Sequence, residues 1–187
     1  MFIVTITPTA PFLGAPVPRL FAGEDEDTVR NESVRASRAA ARTALLRLLR
    51  EECGVTPAPG ALVRDGYGRP APVGGVWFSL SHTNRFAAAV SDSPCGVDLE
   101  EFARAGNFLR LTRKVLTEEE RARFPAPTAE EFLRLWTAKE SIFKCRGSGA
   151  FSPRSIETTG SGILYAETDE VLAALCGDVR GIRITVL

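Results

Sequence analysis

The strongest helical signal in the chain runs from Ala129 to about Arg146. It opens after a proline-flanked break at Pro125 and Pro127 and closes at Gly147 and Gly149. A second long helical stretch covers about 28–52. The acidic run Glu24, Asp25, Glu26 and Asp27 precedes it and complements a helix dipole; Gly54 and Pro57 end it. Short strand-like pieces surround each helix. Phe2 to Ile6, then 61–65, 76–80 and 86–91, belong with the first. Gly96 to Glu100 introduces the second, followed by helical pieces near 104–115 and 117–124. Strands near 154–159, 162–166 and 180–186 come last, with a short helix at 169–175 among them. This order predicts an α+β fold in two similar halves, 1–94 and 95–187, meeting near Pro94 to Gly96.

Charge narrows the partners. The 187 residues carry 23 basic and 23 acidic side chains, so the net charge is zero. Proteins that live on nucleic acid or anionic membrane usually carry a basic excess, so neither partner is expected. No apolar run approaches membrane-spanning length, and Met1 to Ile6 lacks the basic start of a signal peptide. Cys53, Cys95, Cys145 and Cys176 form no CxxC pair, and with a single histidine a zinc site is not expected. Thiols so scattered suit a reducing cytoplasm.

Gly96-Val97-Asp98-Leu99-Glu100 alternates apolar and acidic residues. In a strand Val97 and Leu99 share one face, and Asp98 and Glu100 the other, roughly 6–7 Å apart along the backbone. Two such carboxylates can converge on a hard cation of the magnesium type, which keeps waters and completes its shell with phosphate oxygens. A half-exposed strand with a solvated acidic face has the same pattern. Glu140 and Lys144 lie one turn apart on the strongest helix, and Trp136 and Phe143 share much of that face. The acid therefore sits among apolar neighbours and calls for a charge partner or a metal; an ordinary surface Glu-Lys pair fits the spacing as well. Only Lys114, Lys139 and Lys144 are lysines among the 23 basic residues, and two of them fall in this one segment.

Taken together, Gly96 to Glu100 and Trp136-Thr137-Ala138-Lys139-Glu140-Ser141-Ile142-Phe143-Lys144 resemble the 4'-phosphopantetheinyl transferases of the surfactin-synthetase type. That family's pattern is G-[IV]-D-[IVL]-E, some forty residues, then W-x-x-K-E-[AS]-x-x-K. Phe78-Ser79-Leu80-Ser81-His82-Thr83 is similar to its [FN]-x-S-H-[ST] segment, Tyr67-Gly68-Arg69-Pro70 to its Y-G-K-P turn, and Arg42 to the arginine of its first long helix. The resemblance spans about 35–152. Arg69 departs from the usual lysine, as does Gly147-Ser148-Gly149, where a lysine often separates the glycines.

The resemblance implies two α+β halves about a pseudo-two-fold axis with coenzyme A bound between them. It implies transfer of the phosphopantetheine arm of coenzyme A to a carrier-protein serine, with release of 3',5'-ADP. Asp98, Glu100 and Glu140 would bind Mg2+, with Glu140 also the candidate base. Lys144 would meet the α-phosphate and Lys139 the pyrophosphate. Arg42 and His82, helped by Ser81, would take the 3'-phosphate, with Arg38 one turn before Arg42, and Tyr67, Gly68, Arg69 and Pro70 would frame the adenine. The carrier is expected to be acidic. Arg104, Arg110, Arg113, Lys114, Arg121 and Arg123, interleaved with Phe102, Phe108 and Leu109, would suit it; an amphipathic helix with a solvated basic face is the plainer reading of the same residues. A monomer is expected. A non-catalytic module binding coenzyme A or a carrier is the alternative, and nucleic-acid binding through 28–52 is a more distant one.

Overall fold

A computed structural model describes residues 2–8, 10–23, 30–83, 85–147, 149–178 and 182–186, with the backbone alone over 2–8, 85–90, 107–108 and 182–186. The acidic run at 24–27, the expected helix start at 28–29, Ser148 and the Phe108 side chain lie outside the described residues. The architecture is α+β. Strands β1 (Phe2–Pro8), β2 (Trp77–His82), β3 (Arg85–Ser91) and β7 (Ile182–Val186) form one sheet in the order β2-β3-β1-β7. Strands β4 (Gly96–Glu101), β5 (Leu164–Glu167) and β6 (Val171–Cys176) form a second in the order β4-β6-β5. β7 runs parallel to β1, so the end of the chain returns to the sheet in which it began.

Helix α1 (Glu32–Cys53) covers the first sheet. Asn31 caps its start by accepting from the Val34 amide at 3.2 Å, and Gly54 closes it. Its alanine and leucine face, with Leu45 and Leu49 fully buried, packs on Leu20, Phe21, Leu62 and Phe78. Short helices α2 (Ala105–Phe108), α3 (Thr112–Val115) and α4 (Glu118–Arg123) lead to α5 (Ala129–Arg146). At its start the Thr128 and Glu131 side chains each accept from the other's backbone amide, a capping box worth about 1 kcal/mol for the cap alone. At its end Gly147 turns left-handed, with φ +63°. Among the described residues no helix is long and apolar enough to cross a membrane.

Three segments differ from the sequence reading. Val171–Cys176 is a strand, not a helix: it lies between β4 and β5, and burial on both faces overrides the helical propensity of Leu172-Ala173-Ala174-Leu175. Near 154–159 the chain makes a single 3-10 turn, Pro153–Ser155, opened by the proline. Around 61–65 only isolated bridges form, at Leu62 and Arg64.

β2 and β4, each at an edge of its sheet, meet through side chains. Ser79 Oγ accepts from the Val97 amide at 3.0 Å and Ser81 Oγ from the Leu99 amide at 3.1 Å. The serines thus take the outward amides of β4 that no strand pairs, which removes the exposed-edge problem and joins the two sheets.

Candidate active site

The alternation in β4 sorts its side chains as expected. Val97 and Leu99 are buried against Val171, Ala173 and Leu175. Asp98 and Glu100 turn to the opposite face, toward α5. That helix approaches unusually closely at Gly96, where a Cβ would lie 2.0 Å from the Ser141 carbonyl oxygen and 2.6 Å from the Cys145 amide. Glycine is the residue that permits this contact, and the contact brings the Glu140–Lys144 face of α5 over the two strand acids.

Lys144 Nζ lies 2.6 Å from Asp98 Oδ1 and 3.1 Å from the Val97 carbonyl oxygen. Ser81 Oγ donates to the same Asp98 oxygen at 2.9 Å. Trp136 Nε1 donates to Glu100 Oε1 at 3.2 Å. The second oxygens, Asp98 Oδ2 and Glu100 Oε2, are buried and have no hydrogen-bond partner. Arg104 comes within 4.0 Å of Glu100 Oε2, too far for a hydrogen bond.

The acids feel one another. Burial pushes the Glu100 carboxyl up to about 7; the charge of Asp98, and more weakly that of Glu140, adds to the rise, against Trp136 and Arg104. Burial also raises Glu140, again with Asp98, against the pull of Lys144. Among the described residues no three acid, histidine or cysteine groups close tightly enough to hold an ion as they stand; in this arrangement Lys144 neutralises Asp98. The donor set nevertheless fits a hard divalent cation, because it consists of carboxylate oxygens and two of them are buried without a partner.

A cleft of about 270 Å³ opens beside Lys144. Tyr67, Gly68, Arg69 and Pro70 form one wall, and Phe78, Phe143, Gly147 and Gly149 contribute to the rest. Asp65, which the sequence reading passed over, builds the turn: its Oδ1 accepts from the amides of Tyr67 and Arg69, both at 3.0 Å, and its Oδ2 from Arg69 Nε at 3.1 Å. Arg69 then lies over the Trp77 ring and across Gly147, where a Cβ would come within 2.2 Å of its Cδ. The left-handed backbone and this crossing both require glycine at 147.

His82 is exposed near the same cluster. Desolvation by the surrounding protein still lowers its pKa; Lys144 and Arg38 push it the same way and Asp98 opposes them. His82 therefore lies within electrostatic reach of Lys144, Arg38 and Asp98. Ser81 leaves β2 on the other face, toward the Asp98 carboxylate that Lys144 also holds. Neighbouring strand residues point to opposite faces, and its hydroxyl is buried against Asp98 rather than turned to the region of His82.

One expected contact is spent differently. Lys139 is fully buried; its Nζ pairs with Glu120 Oε2 at 2.7 Å and donates to the carbonyls of Pro153 and Ile156. It bolts α5 to α4 and the following loop and does not reach the cleft, which corrects the pyrophosphate assignment. Arg42 donates to the Pro18 carbonyl at 2.9 Å. Sequence reasoning also missed Trp136 as a hydrogen-bond donor, having counted it as an apolar neighbour. Arg104, Arg110, Arg113, Lys114 and Arg123 are exposed on and around α2 to α4.

A family model described as the 4'-phosphopantetheinyl transferase superfamily matches residues 94–170, which include β4 and α5. The chain is 32% identical over 153 residues to 4'-phosphopantetheinyl transferase AcpT of Salmonella typhimurium, covering 76% of each chain. It is 29% identical over 133 residues to AcpT of Escherichia coli K12, covering 65% of this chain and 68% of that one. With 4'-phosphopantetheinyl transferase gsp of Aneurinibacillus migulanus the identity is 26% over 95 residues, 48% of this chain and 39% of the relative.

Proposed function

Because this chain belongs to the 4'-phosphopantetheinyl transferase superfamily, we propose that it moves the phosphopantetheine arm of coenzyme A onto a serine of an acidic acyl or peptidyl carrier protein, with Mg2+ as the cofactor, as a cytoplasmic monomer. It is an enzyme, a 4'-phosphopantetheinyl transferase. The observation that carries the finer reading is the convergence of Asp98, Glu100, Glu140 and Lys144 beside the cleft walled by Tyr67 to Pro70.

In this reading Tyr67 to Pro70 receive the adenine end of coenzyme A, and His82 with Arg38 meets its 3'-phosphate. Lys144 leaves Asp98 for the diphosphate, where a compact cation stabilises the departing 3',5'-ADP. Glu140, its pKa raised by burial, takes the proton from the attacking serine hydroxyl. Asp98, Glu100 and Glu140 would hold the Mg2+, which when bound neutralises charge on the diphosphate. The exposed arginines around α2 to α4 supply the basic surface for the acidic carrier.

The test is mass spectrometry of a panel of apo-carrier proteins after incubation with the chain, coenzyme A and Mg2+. A carrier heavier by one phosphopantetheine, with the gain lost in a chelator, is the expected result. Coenzyme A binding without any mass gain across the panel would favour a non-catalytic binder instead.

A further inference from the structure

Asp98 and Glu100 are held in the same asymmetric way. In each, one oxygen is fixed from elsewhere in the chain (Asp98 Oδ1 by Ser81 and Lys144, Glu100 Oε1 by Trp136), and the other is buried with no partner. Unlike the mobile ammonium of Lys144, Ser81 and Trp136 have little choice of direction. Ser81 Oγ already accepts the Leu99 amide, so its single proton is left for Asp98 Oδ1. The indole of Trp136 can only donate, and its ring is held edge-on against Phe151, with centroids 5.7 Å apart at 87°. Neither residue can turn to the buried oxygens to satisfy them.

We propose that Ser81 and Trp136 are positioning residues for the divalent cation: each ties down one carboxylate oxygen of Asp98 or Glu100 and so presents the other to the metal. The inference rests on the cation site of the proposed function. Groups that orient metal ligands set affinity even though they never touch the ion, typically by about 10- to 100-fold. The same role explains why Ser81 is buried in the join between the sheets, since one hydroxyl both secures the strand and aims its acid.

Ser79 supplies the control. It accepts the Val97 amide just as Ser81 accepts that of Leu99, so it staples β2 to β4 without a bond to either acid. Mn2+ binding to the full chain, read by electron paramagnetic resonance and by titration calorimetry, separates the roles. Ser81→Ala and Trp136→Phe are each expected to weaken Mn2+ by about tenfold or more. Ser79→Ala is expected to stay within about twofold of the wild type, and KM for coenzyme A at saturating metal to move by less than about threefold in all three. Wild-type Mn2+ affinity in both Ser81→Ala and Trp136→Phe, or an equal loss in Ser79→Ala, overturns the inference while leaving the proposed function standing. Should Ser81→Ala fail to fold, Trp136→Phe decides alone, because it keeps the ring contact with Phe151. A wild-type chain that neither binds Mn2+ nor transfers the arm overturns the reading beneath it.

Discussion

Lys144 Nζ rests 2.6 Å from Asp98 Oδ1, so the cation suited to a phosphate is stored on an acid suited to a metal. Lys144→Ala is expected to lower kcat by about 10²- to 10³-fold, the usual cost of one electrostatic stabiliser. Lys144→Arg should rescue little, since a planar fork does not replace a compact ammonium. Mn2+ should bind Lys144→Ala at least as tightly as the wild type, because a competing positive charge has gone. Steady-state kinetics and metal titration of the same preparations check both halves.

Glu140→Gln is expected to remove transfer, by at least the factor of about 10²–10⁴ that a positioned base supplies. The fold should persist, because the substitution takes away a charge that burial already disfavours. Near-normal turnover with an unchanged melting temperature would sink the base assignment.

With the Glu100 carboxyl raised from an ordinary 4.5 to about 7, the folded protein holds a proton there that the unfolded chain has released. Stability of the metal-free protein should therefore be highest below about pH 4.5 as far as this group is concerned. It should fall as pH rises toward 7, by up to about 1.4 kcal/mol per unit, and level off above. Urea unfolding in a chelator across pH 5–8 measures the slope, and Glu100→Gln should flatten it.

The Lys139–Glu120 pair is fully buried, so removing one partner leaves the other charge stranded. Lys139→Met should cost about 3–5 kcal/mol, and the double variant with Glu120→Gln less than that. KM for coenzyme A in the folded fraction should stay close to wild type. A large change in KM with little loss of stability would restore this lysine to the substrate.

His82→Ala should weaken coenzyme A by about tenfold or more, from the ~1.5–3 kcal/mol of a hydrogen bond to a charged group. Dephospho-coenzyme A should be nearly indifferent to the change. Equal weakening of both ligands in a competition assay would detach His82 from the 3'-phosphate.

Local signals carried the site's frame in plain view. The break at Pro125 and Pro127 and the closing Gly147 delimited α5, and the alternation of Val97, Asp98, Leu99 and Glu100 set the two faces of β4. The true place of Lys139 was legible too. It falls four residues after Leu135 and three before Ile142, both buried, while Glu140 falls on the face of Trp136 and Lys144, and successive helix residues do not face the same way. Resemblance to a motif outweighed that periodicity. By contrast, nothing local marks Val171–Cys176 as a central strand, because its neighbours β4 and β5 decide it. Nor does spacing reveal that Ser81 leaves the side of His82 for Asp98, a bond made across 17 residues between two sheets.

The burial of Lys139 also leaves the folded protein with only two reachable ε-amines, those of exposed Lys114 and partly exposed Lys144. An amine-selective acylating reagent used sparingly would thus write, among the lysines, on the surface helix and beside the candidate cleft alone. The ratio of the two marks then becomes a gauge of cleft occupancy that needs no carrier and no turnover.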